Sequence, residues 1–249
     1  MILLSLEFFK IRRKKIGMMI LFFLFVEMML AFITTSISIA NHPDQAVWES
    51  IIFNIATMNG LFMPILSAVV VSRICDMEHK GGTWKMLVAT NVSRTRLYAA
   101  KYICANSLLL FCIFVQTVIM LVIGLVKHFT GEPPIAYFIW FIGGALLTTL
   151  AVTALQQWVF LAIKNQAFAL VLGMLSAFIG MTAGLFPAAA RHIFIWSYYL
   201  DLSPVTFKYT GSSGAYTAQP VDIGLVIAAF VMTVVFYIAG NINVNQQEI

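Results

Sequence analysis

Long apolar runs constrain this chain more than any motif does. Residues 16–40, 51–72, 102–126, 136–163, 167–185 and 221–239 are each dominated by aliphatic and aromatic side chains, and a helix needs about 20 such residues to cross the hydrocarbon core of a bilayer. In lipid the backbone has to satisfy its own hydrogen bonds, which makes a helix the natural form of each run. The composition leaves room for little else, because 61% of the 249 residues are apolar and only 10% charged, against roughly a quarter charged in a soluble domain. The predicted fold class is therefore an all-α polytopic membrane protein, one transmembrane domain of six spans over residues 1–249. A soluble globule and a separate catalytic domain are excluded.

Residues 1–15 join Leu3, Leu4, Leu6, Phe8, Phe9 and Ile11 to a basic cluster, Lys10, Arg12, Arg13, Lys14 and Lys15, a composition suited to a helix lying in the membrane interface. Ser38-Ile39-Ala40 would serve as a signal-peptide cleavage site, but the preceding apolar run exceeds the about 7–15 residues of such a leader and Glu27 interrupts it. Pro64 predicts a kink in the second span. Gly173, Ser176, Ala177, Gly180 and Gly184 recur at spacings of three and four. That pattern either admits a closely packed neighbour or reflects how common glycine is in membrane helices. Residues 187–219 are too interrupted to span. They begin apolar and aromatic and turn polar at Gly211-Ser212-Ser213-Gly214, which predicts a re-entrant or interfacial helix, with Tyr198 and Tyr199 at the headgroups, followed by an exposed loop.

Twelve of the fifteen cations fall on one side of this layout: the five of residues 10–15, then Arg73, Lys80, Lys85, Arg94, Arg96, Lys101 and Lys164. Lys127, Arg191 and Lys208 fall on the other. The positive-inside rule places both termini in the cytoplasm and 187–219 outside. The basic clusters flank apolar runs and read as anchors to anionic lipid, with no nucleic-acid partner. Cys75, Cys104 and Cys112 form no C-x-x-C pair, and the four histidines occupy four separate connections, so neither a disulfide scaffold nor a metal site is expected. No G-x-x-x-x-G-K-[ST] loop and no G-x-S-x-G elbow occurs, so the chain is expected to hydrolyse no ATP, bind no cofactor and carry no enzymatic centre of its own.

The longest inner connection, 73–101, opens with Asp76 and Glu78, breaks at Gly81-Gly82-Thr83, exposes Trp84 and Leu87 in a short segment, and offers Ser93 as an N-cap for the helix that follows. A solvated loop with snorkelling cations is the plainer reading. The order Glu78, Gly82-Thr83, Ser93-Arg94 and Lys101 resembles the segment after the second span of ABC-2-type permeases, the membrane half of ABC exporters, although Thr90-Asn91 stands where many members have a proline. Together with Trp196-Ser197-Tyr198-Tyr199 and Ser203-Pro204, the layout is most similar to the lantibiotic-immunity subgroup, which removes antimicrobial peptides from the producer's membrane.

That resemblance implies a multi-pass permease of the bacterial cytoplasmic membrane. Its partners would be two ABC ATPase subunits, which hold ATP and Mg, and a second permease chain, identical or a paralogue. It implies a peptide cargo and a coupling role for Asp76, Glu78, Gly82, Thr83, Trp84 and Leu87. Phe194, Trp196, Tyr198 and Tyr199 would close the exit side. Export of a drug, lipid or ion and a non-transporting scaffold or sensor are the alternatives.

Within the spans, Glu27 lies about 15 Å deep at 1.5 Å per residue, and Asn59 and Gln156 about 12 Å deep from opposite faces. Either the three line a cargo path or subunit interface, or Glu27 is a protonated residue hydrogen-bonded to its neighbours. Asn54, Gln116 and Gln157 read as ordinary interhelical hydrogen-bonding groups.

Overall fold

The computed structural model describes residues 2–13, 15–81, 93–163, 166–210 and 213–246. Helix α1 (Ile2–Arg13) lays Glu7 and Ile11 against the bundle and leaves Leu6 and Phe9 exposed. Lys15, in the left-handed conformation at φ 54°, turns the chain into α2 (Ile16–Asn41). The buried side of α2 is the stripe Ile16, Ile20, Leu24, Glu27, Met28, Ala31 and Thr35, the i, i+3/i+4 spacing of a helix packed along one face. Its other side, Met18, Leu21, Phe22 and Phe25, is exposed, as a lipid-facing surface is.

Helix α3 (Trp48–Gly81) is the axis of the molecule. Its most apolar window is 72% buried, against 17% for the last helix, α9 (Ile223–Gln246). Around it stand α2, α4 (Arg94–Val126), α5 (Ile135–Ala162) and α6 (Gln166–Met181). Pro64 lies inside α3 without ending it.

Helices α2, α3, α4, α5 and α9 are long and apolar enough to cross a membrane. Helix α6 is not, because its 16 residues reach about 24 Å against a hydrocarbon core of about 30 Å. What it has is proximity. A Cβ on Gly60 of α3 would stand 2.7 Å from the Gly180 carbonyl oxygen, and one on Gly173 would run into Ala68. Ser176 and Ala177 are buried on the same face. The small residues of α6 thus serve close packing against α3, while Gly184 lies beyond the helix in a 3₁₀ turn.

The segment after α6 is neither one helix nor a loop. Single turns, α7 (Ala188–Arg191) and α8 (Tyr198–Asp201), lead into an antiparallel hairpin, β1 (Val205–Thr210) and β2 (Ser213–Ala218), registered Phe207 to Tyr216. The sequence-based expectation of an exposed loop fails here. Val205, Phe207 and Tyr209 alternate with polar residues, which is strand periodicity, and Phe207 and Tyr216 pack on Phe53 of α3 at ring distances of 6.1 and 5.8 Å.

Both ends of the described chain lie at one end of the bundle. Lys101, in the first turns of α4, reaches Glu7 of α1, and Arg94 donates to the carbonyls of Val244 and Asn245 at the end of α9. The α2–α3 and α4–α5 connections meet at the opposite end, where Thr130 N donates to Ala46 O at 3.1 Å.

Candidate functional site

Three helices each contribute one polar side chain to a junction inside the apolar bundle. Gln116 Nε2 of α4 donates to Glu27 Oε2 of α2 at 2.8 Å and to Asn59 Oδ1 of α3 at 2.9 Å. All three side chains are at most 2% exposed. Each also keeps one buried atom without a hydrogen-bond partner: Glu27 Oε1, Asn59 Nδ2 and Gln116 Oε1. Polar groups at such depth are costly unless paired.

Of the sequence-predicted set, the structure brings Glu27 and Asn59 together and leaves Gln156 elsewhere. Gln156 donates to the Pro64 carbonyl at 2.9 Å, beside the contact of Gly173 with Ala68. The residue that unites the cluster is Gln116, which sequence reasoning treats as an ordinary interhelical group. Gln157 and Asn54 do take interhelical roles: Gln157 donates to Tyr98 O, and Asn54 to Ala31 O and to the hydroxyls of Thr34 and Thr35.

A second junction lies at the α1 end. Lys101 Nζ stands 3.5 Å from Glu7 Oε2 and donates to Ile74 O at 2.8 Å, with both charged side chains 1% exposed. Lys10 holds the other Glu7 oxygen at 2.7 Å. The pair links α1, the end of α3 and the start of α4. Ser93 caps α4 by accepting from Arg96 N at 3.4 Å. Asp76 and Glu78 fall in the last turns of α3, whereas Gly82, Thr83, Trp84 and Leu87 lie outside the described residues. Glu7 escapes the sequence reading, although a single acid in an otherwise apolar and basic helix is the signal that asks for a cationic partner.

The 187–203 segment ties itself down internally. Tyr198 Oη donates to His192 O at 2.7 Å, Ser197 Oγ to the carbonyls of Arg191 and Phe194 at 2.6 Å, and Arg191 Nε lies 2.7 Å from Asp201 Oδ1. Tyr199 Oη shares a 3.0 Å hydrogen bond with Thr149 of α5. Both tyrosines are buried, so neither holds its hydroxyl in solvent, contrary to the headgroup placement expected for them. Phe194 stacks on Trp196 at 6.5 Å, while Ile193 is exposed. Burial raises the Asp201 carboxyl above its ordinary value, against the opposing pull of Arg191 and His192. Burial likewise raises the Tyr199 phenol.

The family model described as an ABC-2 family transporter protein matches residues 3–180, which is well over half of the chain and includes both polar junctions. The chain belongs to the ABC-2 transporter family. As an ABC-2 protein with five apolar helices of spanning length among the described residues, it is a multi-pass membrane component whose family works with ABC ATPase subunits. No curated protein matches the chain individually.

Proposed function

We propose that this ABC-2 protein is the permease subunit of an exporter that expels an amphipathic antimicrobial peptide of the lantibiotic type, giving its producer immunity. ATP and Mg are bound by two partner ATPases, and a second permease chain completes the pathway. The chain crosses the membrane six times, with both termini in the cytoplasm. Five long helices and the run 167–185, which begins in α6, supply the crossings, with 187–219 outside, and an even number agrees with both described ends lying at one end of the bundle.

The observation that carries this reading is the Lys101 junction. The connection of residues 82–92 leaves α3 and enters α4 where Lys101 ties Glu7 and the Ile74 carbonyl together. A push on that connection by an ATPase is delivered to three helices at once. Asp76, Glu78, Gly82, Thr83, Trp84 and Leu87 form the coupling surface in this proposal, and Phe194, Trp196, Tyr198 and Tyr199 belong to the exit side.

Co-purification with the ATPase and peptide-stimulated ATP hydrolysis in proteoliposomes test it. The double substitution of Glu78 and Trp84 by alanine is expected to abolish stimulation while the permease remains in the membrane. Stimulation by a drug or lipid and not by peptide would favour another cargo, and no association with any ATPase would favour a scaffold.

A further inference from the structure

We propose that Glu27, Gln116 and Asn59 form a reversible proton-binding site reached by water from the hairpin end of the bundle. This inference rests on the geometry of the chain alone and stands apart from the choice of cargo.

The hydrogen-bond inventory of the cluster favours two arrangements of opposite polarity. With Glu27 ionised, the Gln116 amide spends both N–H groups, one on Glu27 Oε2 and one on Asn59 Oδ1. With a proton on Glu27 Oε2, that oxygen carries an O–H whose best partner at the Gln116 amide is an acceptor. A half-turn of the two amides answers it: Gln116 Oε1 then accepts from Glu27 Oε2–H and from Asn59 Nδ2. The atoms left without partners in the structure, Gln116 Oε1 and Asn59 Nδ2, are the ones this reversal uses. Water in the cleft brings the proton as hydronium, one O–H bond breaks there and one forms on Glu27, and the helices α2, α3 and α4 exchange the sense of their contacts.

The nearest cleft lies on the same two helices. A cleft of about 220 Å³, lined among others by Thr34, Thr35 and Ser38 of α2, Asn54 and Thr57 of α3, and Tyr216 of β2, opens beside the hairpin. Thr35 and Glu27 share the buried face of α2, about 12 Å apart along the axis, and Asn54 and Asn59 are about 7.5 Å apart along α3. Met28 and Ala31 lie between Thr35 and Glu27 on that face, so the proposed route from the cleft to the carboxyl passes these two side chains.

The titratable groups near the site are few. Helix α2 has no other. Helix α3 carries its own at its two ends, Glu49 and then Arg73 onward. Cys112 of α4 and Tyr199 of α8 lie within electrostatic reach of Glu27. Cys112 and Tyr199 are a thiol and a phenol, so of the groups in reach of one another here the carboxyl is Glu27.

The test is infrared spectroscopy of the full chain in lipid, titrated over the pH range in which it stays folded. The chain carries ten acidic residues, so Glu27 is read from the wild-type minus Glu27→Gln difference spectrum, which is expected to show a carboxylic acid C=O band that grows as pH falls. Gln116→Leu, read against Gln116→Leu with Glu27→Gln, is expected to shift the midpoint of that band by about one pH unit, a tenfold change in proton affinity. In D₂O, Thr57→Leu, which fills the cleft, is expected to slow deuteration of the band at least about tenfold. A difference spectrum without a titrating band, or an unmoved midpoint in Gln116→Leu, overturns the site, and Glu27→Asp, expected to displace the band, replaces Glu27→Gln as the reference if the latter does not assemble. Unchanged exchange in Thr57→Leu overturns the access route.

Discussion

Lys101 and Glu7 meet 3.5 Å apart with 1% of either side chain exposed, although 94 residues separate them. The contact pins an N-terminal helix that has no span of its own onto the first turns of α4. Because the Lys101 ammonium is buried, depriving it of the carboxylate costs more than a surface ion pair would. Glu7→Gln is expected to destabilise the protein by about 3 kcal/mol, whereas Glu7→Leu with Lys101→Met, which removes both charges, is expected to recover most of that. Thermal unfolding in detergent reads both. A Glu7→Gln protein as stable as wild type contradicts the role of the pair.

Gly60 and Gly180 meet backbone to backbone, and a Cβ on either runs into the other's carbonyl. Gly60→Ala and Gly180→Ala are each expected to cost about 1–3 kcal/mol by overpacking. Gly143, which has nothing within 4 Å of an added Cβ, serves as the control, with Gly143→Ala within about 0.5 kcal/mol of wild type. Equal melting of all three variants would show that α6 yields freely against α3.

Asp201 provides a pH signature for the segment after α6. Its carboxyl is raised from an ordinary value of 3.8, chiefly by burial. A group held above its unfolded value keeps its proton longer in the native state, so stability falls as pH climbs from the unfolded value through the folded one. Asp201→Asn is expected to flatten that decline across mildly acidic pH in a melting-temperature series. Parallel profiles for variant and wild type would count against it.

The proposed orientation predicts labelling. A cysteine at Glu132, exposed in the α4–α5 connection, is expected to react with an impermeant maleimide in intact cells, and one at Gln246, exposed at the end of α9, only after permeabilisation. The reverse pattern inverts the topology.

The long helices are legible in the sequence because apolar runs of that length leave no alternative in lipid. The hairpin is not, because five alternating residues from Val205 to Tyr209 are outweighed by the turn signals around them. The polar junction is half legible. Counting residues from a span's end gives depth but not azimuth, so Gln156 and Gln116 are equally eligible until packing turns Gln156 toward Pro64 and Gln116 toward Glu27. Glu7 and Lys101 lie too far apart in sequence for any periodicity to pair them.

Transport by the reconstituted complex tests the central claim most directly. Proteoliposomes carrying this chain with the ATPase and permease partners proposed for it, loaded with fluorescent lantibiotic-type peptide in the bilayer, are expected to release it in an ATP-dependent manner, and to stop when the ATPase is inactivated. Peptide that stays in the bilayer with ATP and an active ATPase present would contradict the proposal that this ABC-2 protein exports a peptide.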